Sequence, residues 1–182
     1  IQESASPEAM QEVTRETEYS ISVHKIDSMH FFAARMNTRQ VNKKPEKITD
    51  FKTAEKMLKG TVEFTPGDEE YHAIKSIRFK NGTRYIQDPS DACSFVAYYP
   101  AENILLCEGG HATDVSFNLT NGKQTEETGN PGVIVYSPQN QLRLNGHYGG
   151  QECYSYFVQK KINGEFRKTV QLDEAFQKIT KR

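Results

Sequence analysis

Residues 96–122, VAYYPAENILLCEGGHATDVSFNLTNG, carry the pattern on which the fold assignment turns. An apolar and aromatic run ends at Pro100, Ile104 and Leu106 follow, and the Gly109-Gly110-His111 loop interrupts the chain. Val115, Phe117 and Leu119 then alternate with Ser116, Asn118 and Thr120 up to Asn121-Gly122. Alternation with period two places one set of side chains on each face of a strand. Asn-Gly accepts the positive φ angles that a two-residue type I′ hairpin turn requires. The stretch reads as antiparallel strands joined by tight turns.

The same landmarks recur on both sides. VEFTP at 62–66 and IVYSP at 134–138 match the VAYYP opening, with prolines 34 and 38 residues apart. Asn81-Gly82 and Asn163-Gly164 match Asn121-Gly122, at intervals of 40 and 42 residues. Leu142 and Leu144 stand at the same offsets from Pro138 as Ile104 and Leu106 from Pro100, and Gly146-His147 answers Gly110-His111. Ile77 and Phe79 precede the first Asn-Gly turn, and Tyr154, Tyr156 and Val158 precede the third, with the alternation of strands. Repetition of this kind indicates stacked supersecondary units, which divide near 61–95, 96–132 and 133–170.

A unit of about 40 residues with this order of strands, loop and hairpin resembles a blade of a β-propeller. The resemblance covers about residues 61–170, with 19–45 as a further partial blade. It implies a mainly β fold of repeated antiparallel sheets, arranged as a four-bladed ring, an open propeller fragment or a continuous twisted sheet.

Outside the repeats, residues 1–18 are polar and aperiodic and read as a tether ahead of a single β-rich domain over 19–182. Tyr19–Met36 reads as β, with Ile21 and Val23 alternating against Ser22 and His24 and an apolar patch at Phe31–Ala34. Residues 40–49 read as a solvated loop. TDFKTAEKMLKG at 49–60 predicts a short helix capped by Asp50 and stopped by Gly60, with Phe51, Ala54 and Leu58 on one face. Leu172, Phe176 and Ile179 predict a C-terminal helix over 172–182.

The 182 residues hold 23 Lys and Arg against 24 Asp and Glu, a net charge of −1 that argues against nucleic acid as a partner. With 10 Phe and 9 Tyr, aromatic bulk suits half-buried pleated surfaces. No apolar run is long enough for a transmembrane segment. The start at Ile1 and the polar leader read as processing for export, which points to a periplasmic or extracellular location, with a lipid anchor upstream as one form of it. The three cysteines allow one intrachain bridge and leave one thiol. Three pairings stand open, and Cys107 with Cys153, from adjacent units, is the bridge between neighbouring sheets.

Glu108, His111 and Asp114 lie within one loop and bear groups able to bind a metal or move a proton. His147, Tyr148 and Gln151 occupy the corresponding loop of the next unit. If the units stack, both glycine loops share one rim, the usual place for recognition on a rigid β scaffold. No nucleophile or zinc-protease motif is present, so no catalytic residue, metal or cofactor is expected. The reading is a binding protein that recognises another protein through that rim, as an inhibitor or a toxin-immunity factor. Two other readings stand beside it: a glycan- or metal-binding protein or hydrolase using His111, Asp114, Glu108 and His147, and a structural accessory module of an envelope assembly.

Overall fold

The computed structural model describes residues 24–37, 44–67, 70–151 and 153–173. It is mainly β, with ten strands in three antiparallel sheets among the described residues. Sheet 1 joins β1 (Val62–Phe64), β2 (Ile74–Arg78) and β3 (Arg84–Ile86). Sheet 2 joins β4 (Ser94–Tyr99), β5 (Ile104–Glu108) and β6 (Asp114–Asn118). Sheet 3 joins β7 (Val135–Tyr136), β8 (Leu142–Tyr148), β9 (Tyr154–Ile162) and β10 (Glu165–Gln171). Each sheet is a meander in chain order, and the three opening motifs lie on β1, β4 and β7. No ring of sheets closes among the described residues.

Sheet 2 is buried on both faces, and a bulge exchanges the faces of its first strand. The register of β4 and β5 shifts between Phe95 and Ala97, so the two residues face opposite sides although they are two apart. Phe95, Tyr98, Leu105, Cys107, Val115 and Phe117 therefore pack toward sheet 1, in one cluster with Val62, Ile74 and Ile77. Ala97, Tyr99, Ile104 and Leu106 form a second cluster on the other face. Phe117 and Leu105 are fully enclosed, and burial of each such side chain is worth roughly 1.5–3 kcal/mol. Backbone bonds from Ile74 N–H to the Cys93 carbonyl and from Phe95 N–H to the His72 carbonyl tie sheet 1 to sheet 2.

Helix α2 (Phe51–Leu58) closes the first core. Asp50 caps it by accepting the Thr53 N–H at 2.9 Å, Ala54 and Leu58 are buried, and Gly60 leaves the helix at φ +82°. Phe51 stacks on His72 and meets Phe64 edge-on. The 40–49 loop is not wholly free, because Ile48 pairs with Tyr98 at the edge of β4 through bonds of 2.8 and 2.9 Å.

Several expectations are corrected. The segment expected as strand contains helix α1 (Ser28–Asn37), whose side chains over 28–36 are exposed. Its Met29, Ala33, Ala34, Arg35 and Met36 are good helix formers, and Asp27 accepts the His30 N–H at 2.8 Å at its start. Consecutive apolar residues here outweighed the short alternation before them. Ile21, Ser22 and Val23, like residues 1–18, lie outside the described residues. So do residues 174–182 of the expected C-terminal helix, of which Leu172 and Asp173 are described as helical.

The three Asn-Gly pairs also differ. Only Asn163-Gly164, between β9 and β10, has both residues at positive φ, 52° and 87°, as a type I′ turn requires. At Asn81 the side chain instead accepts from the Thr83 N–H and hydroxyl, an Asx turn that leaves only Gly82 at positive φ. Asn121-Gly122 ends β6 and leads into the single helical turn α3 (Thr125–Thr128), not into a strand.

Candidate binding surfaces

Alternation of strand direction sends the β5–β6 and β8–β9 connections to one rim. There the two glycine loops touch: a Cβ added at Gly150 would lie 3.6 Å from the Cβ of His111 and 3.0 Å from Thr113 Cγ2. Gly150 sits at φ +82°, so the approach needs glycine twice over, for space and for conformation. Three non-glycine residues of the same loops, His111, Ala112 and Gln151, are also left-handed, at φ 57°, 58° and 48°. Such conformations cost free energy and persist where surrounding structure holds them.

The six residues singled out from the sequence take different parts. Asp114 is the link between the loops, accepting the Asn130 amide at 3.1 Å through both oxygens and the Tyr148 N–H at 2.8 Å. His147 is buried on β8, its Nε2 3.4 Å from Glu126 and its Nδ1 enclosed without a partner among the described residues. Glu108 and His111 are exposed, and Gln151 is exposed in the second loop. No group of three or more His, Cys, Asp or Glu among the described residues is arranged to hold a metal ion. The expected Cys107–Cys153 bridge is not formed. Cys107 lies in the first core with Cys93, whose thiol donates to Gln87 Oε1 at 3.2 Å, while Cys153 is exposed in the β8–β9 loop. Burial pushes the Cys107 thiol well above its ordinary pKa, and the neighbouring Cys93 adds to the rise.

From this rim an aromatic surface runs along the outer face of sheet 3. Residues directly opposite in an antiparallel ladder share a face, so the pairs Tyr148↔Tyr154, Gly146↔Tyr156, Leu144↔Val158 and Val135↔Leu144 align their side chains. The Tyr148 and Tyr154 rings lie 4.9 Å apart, and Tyr154 stacks on Tyr156 at 6.1 Å with planes 14° apart. Tyr154 keeps 56% of its surface exposed, and Leu142 and Val135 keep 43% each. Gly146 makes the arrangement fit, since a Cβ there would stand 2.8 Å from Tyr156 Cδ1 and 2.4 Å from the Ser155 carbonyl.

The inner face of sheet 3 is buried and mostly polar, with Phe157 enclosed among its polar side chains. Arg143, Asn145 and His147 alternate on β8, and Gln159 on β9 pairs with Arg143. Arg143 donates from Nε to Gln159 Oε1 at 2.6 Å and from Nη1 to both Glu102 oxygens at 2.9 Å. Asn145 and Gln159 donate to the Thr128 and Glu127 carbonyls at 2.8 and 2.9 Å, so α3 is held between sheets 2 and 3. The Tyr136 hydroxyl donates to Glu102 at 3.1 Å, and burial raises its pKa, with Glu102 adding to the rise. Sequence reading missed this layer because Arg143 occupies a position that alternation alone assigns to solvent; the nearest signal was two long polar side chains, Arg143 and Gln159, on strands otherwise rich in apolar residues. No helix among the described residues is long and apolar enough to cross a membrane.

No protein-family model, no curated protein and no solved structure matches this chain.

Proposed function

We propose that this protein binds a protein partner through the outer face of sheet 3 and the adjoining glycine-loop rim, on a scaffold of blade-like antiparallel units. The observation that carries the reading is the tyrosine cluster Tyr148–Tyr154–Tyr156, with Tyr154 and Tyr156 exposed and continuous with Leu142 and Val135. Exposed apolar surface of this kind is characteristic of interaction sites, and tyrosine supplies contact area at small entropic cost together with a hydroxyl for hydrogen bonding. The rigid ladder beneath holds the rings in place before any partner arrives, which lowers the entropy lost on association. Binding is favoured over catalysis because the acid and base groups of the rim are already engaged or apart: Asp114 ties the two loops together and His147 is enclosed.

The test is affinity capture from the native source with the folded chain as bait, in wild type and in a variant with Tyr148, Tyr154 and Tyr156 replaced by serine. A circular-dichroism melt establishes that the variant is folded. A partner held by wild type and lost from the folded variant is the expected result. Retention of every captured protein by the variant contradicts the assignment of this face.

A further inference from the structure

The rim opposite the glycine loops carries the β4–β5, β7–β8 and β9–β10 turns, and these enclose a cleft of about 710 Å³. This lies within the range of about 300–1,000 Å³ usual for small-molecule sites. Its floor is Arg143, only 4% exposed. The guanidinium is spent on three sides: Nε on Gln159, Nη1 on Glu102, and one π face under the Phe166 ring, whose centroid is 4.2 Å from Cζ. Nη2 has no hydrogen-bond partner among the described residues, yet it is not among the enclosed polar atoms lacking one. Arg143 lines the cleft, and Nη2 is the part of its guanidinium left for a ligand there.

The remaining charges lean the same way. Lys161 is the cross-strand partner of Phe166, with its ammonium 5.7 Å from the ring centroid, and Lys44 lines the open side. Three carboxylates also line the cleft. Glu102 is taken by Arg143 and Tyr136, and Glu165 lies 3.8 Å from Arg167, which leaves Glu46. With Arg143 paired to Glu102, the two lysine ammoniums face one carboxylate, Glu46, that has no cation paired with it among the described residues. Beside them stand the Tyr136 and Phe166 rings, their centroids 5.9 Å apart.

We infer that the cleft binds a small organic oxyanion with a flat apolar body. The oxyanion meets Arg143 Nη2 and Lys161, and the body lies against Tyr136 and Phe166. Guanidinium and ammonium donors give the strong, charge-assisted hydrogen bonds, and the aromatic walls give the contact area that a bare inorganic anion cannot use. The site is independent of the tyrosine face, being on the other side of sheet 3 and at its other end.

The test is isothermal titration of the full chain with 4-nitrophenyl phosphate, with inorganic phosphate as the anion alone and 4-nitrobenzyl alcohol as the flat body alone. The expected result is one saturable site for 4-nitrophenyl phosphate, tighter than for either fragment. Lys161→Ala, which removes a partly exposed side chain outside the core, weakens it at least about fivefold. The serine variant of Tyr148, Tyr154 and Tyr156 leaves it unchanged. In ¹⁵N-correlated spectra the perturbed amides are those of Asn140, Lys161 and Gly164. Absence of saturable binding, equal affinity for a fragment, undiminished affinity in Lys161→Ala, or perturbation confined to the glycine loops each overturns the inference.

Discussion

The contact between Arg143 and Glu102 is the place where one substitution most directly tests how sheets 2 and 3 are joined. Glu102 lies in the β4–β5 turn and Arg143 on β8, 41 residues later, so the pair links the two sheets. Glu102→Ala leaves a guanidinium that is 4% exposed without its carboxylate and removes the acceptor of the Tyr136 hydroxyl. Breaking one side of a buried pair costs about 3–5 kcal/mol. Glu102 is itself 21% exposed, and water entering the cleft can solvate Nη1 in the variant, so the cost falls at or just below the bottom of that range, about 2–3 kcal/mol. Arg143→Met keeps an unbranched stem beneath Phe166 and leaves a carboxylate that water can reach. Gln159 Oε1 still accepts from Asn145 at 3.3 Å, so the cost is smaller, about 1–2 kcal/mol. The double variant should then cost less than the sum of the singles, with a coupling of about 1–2 kcal/mol. Urea unfolding at low and high salt measures all three. A loss below about 0.5 kcal/mol for Glu102→Ala, or one that vanishes at high salt, would show a solvated surface pair and refute the reasoning.

Other outcomes follow from the same geometry. Gly146→Ala drives a Cβ to 2.4 Å from the Ser155 carbonyl on the neighbouring strand, and the interior position of β8 leaves neither strand free to withdraw; a loss of about 2–3 kcal/mol is expected by calorimetry, and an unchanged melting temperature would contradict the packing. The Asp50 carboxyl is held below its ordinary range by hydrogen bonds from the Thr53 side chain and N–H, so its contribution is present above that range and is lost as pH falls through the lowered value. The gap in melting temperature between wild type and Asp50→Ala should accordingly be full at pH 7 and close as the pH is taken below about 3.9, the ordinary Asp value; a gap that widens on acidification would contradict the cap. In the native protein Cys153 should react first with a disulfide reagent such as 5,5′-dithiobis(2-nitrobenzoate), and Cys93 and Cys107 only on unfolding, because both are buried in the first core and the Cys107 pKa is raised as well. Three equally fast thiols would mean that the first core is open.

The β character, the strand positions around Val115–Leu119 and Tyr154–Val158, and the capped helix after Asp50 were legible because each rests on neighbours a few residues apart. The sharing of one rim by the two glycine loops was expected on the condition that the repeated units stack, and the contact of Gly150 with His111 is how these loops meet in space. The tyrosine face was half visible: Tyr148 stood out, while Tyr154 and Tyr156 were read only as strand residues. The cleft was not visible at all, since Arg143, Glu102 and Phe166 come from three separate turns and strands.

Sequence by itself determined the alternation of the strands, the glycine positions where the chain turns, and the helix that begins at Asp50, because backbone sterics and local hydrogen bonds act between near neighbours. Only the tertiary structure decided which Asn-Gly pairs are hairpins, that 28–37 is helix, and that Cys107 sits beside Cys93 instead of Cys153. It also decided that the buried face of sheet 3 carries Arg143, Asn145, His147 and Gln159 beside the enclosed Phe157. Those outcomes depend on which surfaces meet, and a bulge at a single residue, Val96, is enough to exchange the faces of a strand and with them its partners.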